Sequence, residues 1–227
     1  PKGRGKGFNG LGVLYWRKSN YAKAMENHLK SLEIRERVGN KLDISNTLRS
    51  IGVVYHVQSK NEKALEYYFK SIAALEGVKN KKGLASSYNN IGAIYENQGD
   101  YSRALDYYFL ALKVNEESGN RIKLSSNHLN IGNIYWRQSN YEKALEYYFK
   151  SLDLYRSAGF KIEMARSYNN IGSTYYELNQ YDQALDYHFK ALKIRKELKE
   201  KDGLAKSYNN IAENSDVIGK NESAIEY

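Results

Sequence analysis

The 227-residue sequence predicts an all-α solenoid of about five and a half stacked, antiparallel helix pairs, and three observations predict it. The first is a long internal period. SYNNIG at Ser87 to Gly92 returns at Ser167 to Gly172, and SYNNIA follows at Ser207 to Ala212, so the spacing is 80 and then 40 residues. The second is the register of single positions on that 40-residue ruler. Gly92 is matched by Gly12, Gly52, Gly132 and Gly172, with Ala212 in the last unit, while Tyr95 is matched by Tyr15, Tyr55, Tyr135 and Tyr175. In the other half of the unit Ala24, Ala64, Ala104, Ala144, Ala184 and Ala224 are in register, and the segment Glu62 to Ser71 recurs unchanged from Glu142 to Ser151. The third is that the apolar spacing inside a unit is helical.

Each unit divides into two elements. Leu84, Tyr88, Ile91, Gly92 and Tyr95 stand at i, i+4, i+7, i+8 and i+11, one stripe of a helix, here called helix A. After Gln98 to Tyr101, the residues Ala104, Leu105, Tyr108, Phe109 and Leu112 form the broader apolar face of helix B. Gly99-Asp100 and Ser118-Gly119-Asn120 mark the turns, where Gly or Asn is expected in the left-handed conformation that closes a helix. A short turn makes A and B antiparallel. One pair cannot bury both faces, so stacking must stabilise it, with Gly92, Ala104 and Ala111 at the closest approaches. A single domain over 1–227 is expected, in units of approximately 1–42, 43–82, 83–122, 123–162, 163–202 and 203–227. Because residue 227 falls inside the sixth helix B and residue 1 is proline rather than methionine, a fragment of a longer protein is expected.

Composition narrows the function classes. The chain has no cysteine, which excludes disulfides, thiolate zinc sites and a cysteine nucleophile. Aromatic content of 13% excludes a disordered chain, and the absence of any long apolar run predicts a soluble, cytoplasmic protein without a membrane span. No nucleophile, base and orienter, no carboxylate pair off the exposed faces and no phosphate loop can be assembled, so neither an enzyme nor a cofactor site is expected. Net charge is +9, with ten Lys/Arg against three Asp/Glu in residues 1–42. The excess is local, and the lack of a continuous basic stripe disfavours nucleic acid as a partner.

The order Tyr88, Ile91, Gly92, Tyr95, then Ala104, Tyr108, Ala111 resembles the tetratricopeptide repeat over nearly the whole chain. The unit of 40 residues exceeds the family's usual length of about 34, and the proline that often follows helix B is replaced by Asn or Gly. Both features are similar to the long-repeat subclass of kinesin light chains and bacterial peptide sensors. The resemblance implies a right-handed superhelix with a concave, ligand-facing side formed by the A helices.

With the packing stripe assigned, the other side of helix A carries Asn89, Asn90 and Asn97 in unit 3, and Asn130, Asn133, Trp136 and Arg137 in unit 4. Unit 5 presents Arg166, Asn169, Asn170 and Tyr176, and unit 6 presents Lys206, Asn209 and Asn210. Asn90, Asn130, Asn170 and Asn210 form a ladder in register, whereas units 1 and 2 have Gly10 and Ser50 there. Asparagine is an indifferent helix former, so its mid-helix repetition asks for a reason. A carboxamide both donates and accepts, so a row of them suits the backbone of an extended peptide, with aromatics and Arg reading its side chains. In the long-repeat relatives, asparagines at this position contact peptide backbone, and the resemblance carries that role to the four ladder residues. The alternative is that each Asn bridges to the neighbouring repeat and sets the pitch.

Three readings of function follow. The chain is a peptide- or protein-binding module, the sensory input of a larger signalling protein, or a scaffold that self-associates through unfinished end repeats. A lysine-based clamp for acidic C-termini is disfavoured, because Asn89, Asn169 and Asn209 occupy the lysine positions. His28 and His188 take the register of Tyr68, and His128 that of Tyr88, so all three read as core, with His56 on the concave side. In the pairs Tyr67-Tyr68, Tyr107-Tyr108 and Tyr147-Tyr148 the second ring reads as packing and the first as reaching the convex surface. The GxGxxG pattern at Gly5 to Gly10 follows no strand and reads as a frayed leader, and Asn221-Glu222-Ser223 reads as a chance glycosylation sequon.

Overall fold

The computed structural model describes residues 2–78, 83–217 and 219. The sixth-unit helix B, with Ala224 and the sequon at 221–223, lies outside the described residues, as does Pro1. Among the described residues there are eleven α-helices and no strand. The chain forms two compact units, Pro1–Ser118 and Gly119–Tyr227. The first holds α1 (Lys2–Arg17), α2 (Tyr21–Val38), α3 (Lys41–Val57), α4 (Asn61–Ala73), α5 (Leu84–Asn97) and α6 (Tyr101–Glu117). The second holds α7 (Arg121–Arg137), α8 (Tyr141–Ala158), α9 (Lys161–Glu177), α10 (Tyr181–Leu198) and α11 (Lys201–Val217). Odd-numbered helices are the A elements and even-numbered ones the B elements. The GxGxxG glycines lie inside α1, where the Gly5 carbonyl accepts from Ser31 Oγ at 2.7 Å, so this segment is helical and not a frayed leader.

The recurring helix A glycine is explained by one contact. A Cβ on Gly52, Gly92 or Gly132 would stand 2.5–2.7 Å from the ring of Tyr68, Tyr108 or Tyr148 on the partner B helix. On Gly12 and Gly172 it would meet the His28 and His188 rings at 2.5 and 2.7 Å. The missing side chain seats an aromatic ring against the helix backbone; Tyr68, Tyr108, His28 and His188 are among the largest fully buried side chains, and Tyr148 is 2% exposed. Burying each contributes roughly 1.5–3 kcal/mol, more than the ~1 kcal/mol that glycine costs a helix interior.

The first tyrosine of each pair is half-buried and packs against helix A. Tyr67 and Tyr107 stack on helix A Tyr55 and Tyr95 at 5.4 and 5.6 Å, and Tyr147 and Tyr187 stack on Tyr135 and Tyr175 at 5.6 and 5.5 Å. Lys70, Lys150 and Lys190 lie over the outer rings Tyr67, Tyr147 and Tyr187 at 5.1, 4.8 and 4.5 Å. These rings therefore bind helix A to helix B by stacking and cation–π attraction.

The A-to-B turns differ from expectation in their residue type. Gly99 and Asn179 take a positive φ as expected, but so do Ser19, Ser59 and Ser139 in the same register. In three of these turns the next residue caps the following helix, while Lys60 and Gln180 make no such bond. Asn20, Asp100 and Asn140 accept from the backbone N–H three residues on, at 3.1, 3.0 and 3.3 Å. Turn geometry is thus held by the packed helices on either side, with a cap where one is present, and it tolerates serine where glycine would be easier.

Buried polar seams join one helix pair to the next. In the first unit Ser71 Oγ lies 2.9 Å from Ser45 Oγ and 3.0 Å from Ser87 Oγ. Arg35 donates to the Asp43 carbonyl at 2.8 Å and to Thr47 Oγ1 at 2.6 Å. Arg195 repeats this 160 residues later, donating to the Gly203 carbonyl at 2.8 Å and Ser207 Oγ at 2.7 Å, with Glu200 3.5 Å from its Nε. Gly203 makes room, since a Cβ there would meet Arg195 Nε at 2.7 Å. Each guanidinium staples the end of a B helix to the start of the next A helix.

Candidate functional site

In the second unit α7, α9 and α11 lie side by side and enclose a groove of about 340 Å³. Asn133, Trp136 and Arg137 of α7 line one wall, Asn169, Asn170 and Ser173 of α9 the floor, and Lys206 of α11 the other side. Six of the sequence-derived candidates are therefore gathered at one place. Tyr148 joins them from below. Its ring sits on Gly132 and its hydroxyl donates to Asn133 Oδ1 at 2.9 Å.

The asparagines are tied to one another across the helices. Asn170 Nδ2 donates to Asn133 Oδ1 at 3.3 Å, and Asn210 Nδ2 donates to Asn169 Oδ1 at 2.9 Å. The bridging role foreseen for the ladder is thus present at Asn170 and Asn210. It does not exhaust them, because a carboxamide has two N–H donors and two acceptor positions and each of these bonds uses one. The bond also orients the group, leaving the carbonyl of Asn170 and of Asn210 in a defined direction. Asn169, in contrast, is buried at 3% exposure with its oxygen occupied by Asn210.

A second cavity of about 150 Å³ continues from the first, between α9 and α11. Trp136 and Ser173 belong to both cavities; Tyr176, Asn210, His188 and Asn214 line the second, and Glu177 and Glu213 add two carboxylates. Burial, followed by the nearby Glu213, raises the Tyr176 hydroxyl above its ordinary range. His188 is neutral at physiological pH, because burial, then the Arg195 and Lys206 charges, push its imidazole down to about 4. The groove therefore has Arg137 and Lys206 at one end and Glu177 and Glu213 at the other.

The remaining candidates are dispersed. Asn130 is half-buried on α7, and Arg166 and Asn209 are exposed on α9 and α11. In the first unit Asn90 of α5 bonds to the hydroxyl of Tyr68, Asn89 is half-buried and Asn97 is exposed. Ser173 lies on the ligand-facing side of helix A that its register predicts, whereas the roles of Tyr148 and Asn214 do not follow from register. Asn214 had a visible signal, because it occupies the register of Val54, Ile94, Ile134 and Thr174, where a carboxamide is out of place. No helix is long and apolar enough to cross a membrane, and no group of three metal-ligating side chains occurs, among the described residues.

No curated protein sequence matches the chain. Among solved structures, BtubC (BKLC) from P. vanneervenii is 21% identical with a TM-score of 0.80, over 91% of this chain and 88% of that one. The STAND protein with a tetratricopeptide repeat sensor from Pyrococcus horikoshii is 20% identical with a TM-score of 0.83, over 96% of this chain and 34% of that one. A Rap protein complexed with Competence and Sporulation Factor is 14% identical with a TM-score of 0.73, over 95% of this chain and 64% of that one. This chain thus spans about a third of the STAND protein and just under two thirds of the Rap protein. At these identities the likeness establishes the fold alone. The tetratricopeptide repeat profile matches residues 6–77, 83–157 and 163–227, and with that coverage the chain belongs to the tetratricopeptide repeat family.

Proposed function

We propose that the chain is a protein-interaction module that holds an extended peptide or protein segment in the groove of α7, α9 and α11. The observation that carries this reading is the pair of inter-helix bonds from Asn170 and Asn210, which orient one carboxamide beside Trp136, Arg137 and Lys206 and the other in the adjoining cavity. Preoriented amides meet peptide C=O and N–H groups without the rotamer entropy that free side chains would lose on binding. Trp136 and Tyr176 supply flat apolar area, and Arg137 and Lys206 favour an acidic group at their end of the groove. Asn130, Arg166 and Asn209 are proposed as flanking contacts, and Asn89, Asn90 and Asn97 as contacts of the same kind on α5. The likeness to a Rap protein complexed with Competence and Sporulation Factor supports a peptide as the ligand.

Selection of a displayed random-peptide library against the chain tests this, run beside the double variant Asn170→Ala, Asn210→Ala with its helicity and melting temperature checked. Enrichment by the parent, lost in the folded variant, is expected. Equal enrichment by both, or none by the parent, would overturn the reading. A second reading, supported by the likeness to a protein with a tetratricopeptide repeat sensor, makes the same groove the sensory input of a larger signalling protein.

A further inference from the structure

Three departures from the repeat line the second cavity. In unit 4 the Tyr148 hydroxyl reaches Asn133 and fills the space between helices. In unit 5 the corresponding residues are His188 and Ser173, so both the phenol oxygen and the carboxamide that received it are missing. On the neighbouring α11, Asn214 stands where Ile134 and Thr174 stand in the preceding units. The void left is about 150 Å³, close to the volume of five waters at ~30 Å³ each.

Its floor is polar and unsatisfied. Asn214 is 1% exposed, and neither its Nδ2 nor its Oδ1 has a hydrogen-bond partner. His188 Nδ1 and Trp136 Nε1 are likewise buried without one. A buried donor or acceptor left unpaired costs about 1–3 kcal/mol, and a packed solenoid could have avoided it with the isoleucine used twice in this register. The orphaned atoms include both donors and an acceptor, which calls for a partner that is itself both. Because Asn214 and His188 are buried, a charge placed against them would be poorly solvated. A carboxylate would also face Glu177 and Glu213, which line the same cavity.

We propose that this slot between α9 and α11 receives a side-chain carboxamide, Gln or Asn, of the bound peptide, paired head-to-head with Asn214 and accepting from Trp136 Nε1. This rests on the groove reading above and adds to it the class of residue the groove selects. Glutamate, nearly the same shape, is rejected by the two carboxylates, and leucine leaves the floor unpaired.

The test uses the random-peptide library as probe, selected in parallel against the parent chain, Asn214→Ile and Asn214→Thr. Both substitutions install residues that this sequence carries in the same register, so the helix and its packing are retained, and a melting curve verifies this. The expected parent pool has one position rich in Gln or Asn. A synthetic peptide from that pool should lose tenfold or more in affinity on Gln→Glu or Gln→Leu, and the bias should disappear with either variant while peptides are still enriched. A pool without such a position, the same bias on parent and variants, or a Lys/Arg preference in its place would overturn the slot assignment and leave the groove standing. A parent that enriches nothing would overturn both.

Discussion

Replacing Gly132 by alanine should destabilise the second unit, although alanine is the better helix former. The new Cβ would stand 2.7 Å from Cδ1 and Cε1 of Tyr148 and 3.3 Å from the Ala144 carbonyl. Carbon atoms in contact settle near 3.5–4.0 Å, so the ring must retreat by about 1 Å in a site where Tyr148 is 2% exposed. Overpacking of this kind costs about 1–3 kcal/mol, and displacing the phenol weakens its bond to Asn133, contributing about 1 kcal/mol more. Against this stands a gain of ~1 kcal/mol in helix propensity. The net expectation is a loss of about 2 kcal/mol, or a melting temperature lower by roughly 4–8 °C for a chain of this size. Gly10→Ala is the control: it lies mid-helix in α1 with nothing within 4 Å of its absent Cβ, so propensity alone acts and stability should rise by up to ~1 kcal/mol. Urea unfolding followed by far-ultraviolet circular dichroism reads both as midpoint shifts at an unchanged slope. A Gly132→Ala protein as stabilised as Gly10→Ala would refute the ring-seat argument. The same displacement would disturb the groove, because Tyr148 positions Asn133 beneath it.

Acidification should weaken the fold through its histidines. His28, His128 and His188 are held near pKa 4, first by burial, against 6.5 in the unfolded chain. The folded state thus binds fewer protons, and the stability present above pH 6.5 falls as pH drops from 6.5 towards 4, by about 2 kcal/mol per histidine at pH 5. Thermal melts at pH 7.5 and pH 5 measure this, and His188→Tyr, which restores the ring used at Tyr148, should remove about a third of the difference. Ser139→Gly should stabilise by about 0.5–1 kcal/mol, because Ser139 sits at φ 57 where Gly99 stands one unit earlier; an unchanged urea midpoint would count against strain at that turn. Arg195→Met should cost about 3 kcal/mol, since it leaves the Gly203 carbonyl, Ser207 and Glu200 without their partner, and a melting temperature within 1–2 °C of the parent would show that the staple is not needed.

Most of the candidate site was legible from register alone. Asn133, Trp136, Arg137, Asn170 and Lys206 were identifiable because helix A has a packing stripe and these residues lie off it. The burial of Asn169 was not, since it depends on which neighbour fills the space beside α9, and that neighbour is Asn210, 41 residues away. The stacking of the outer tyrosines was hidden for a related reason. Helical period puts Tyr147 at the edge of the apolar face, and only the approach of helix A decides that Tyr135 stacks on it.

The sequence by itself determined the period of 40, the alternation of two helices within it and the faces each helix turns towards packing. These follow from short-range geometry, in which residues three, four and seven apart share a side. The tertiary structure alone decided the partners: the ring seated on each glycine, the arginine staples, the asparagines tied across helices and the carboxamide of Asn214 left over a cavity. Such pairings depend on the relative rotation and rise of helices 20 to 40 residues apart, which no local spacing encodes. The sequence marks them only where one unit departs from its neighbours, as His188, Ser173 and Asn214 do.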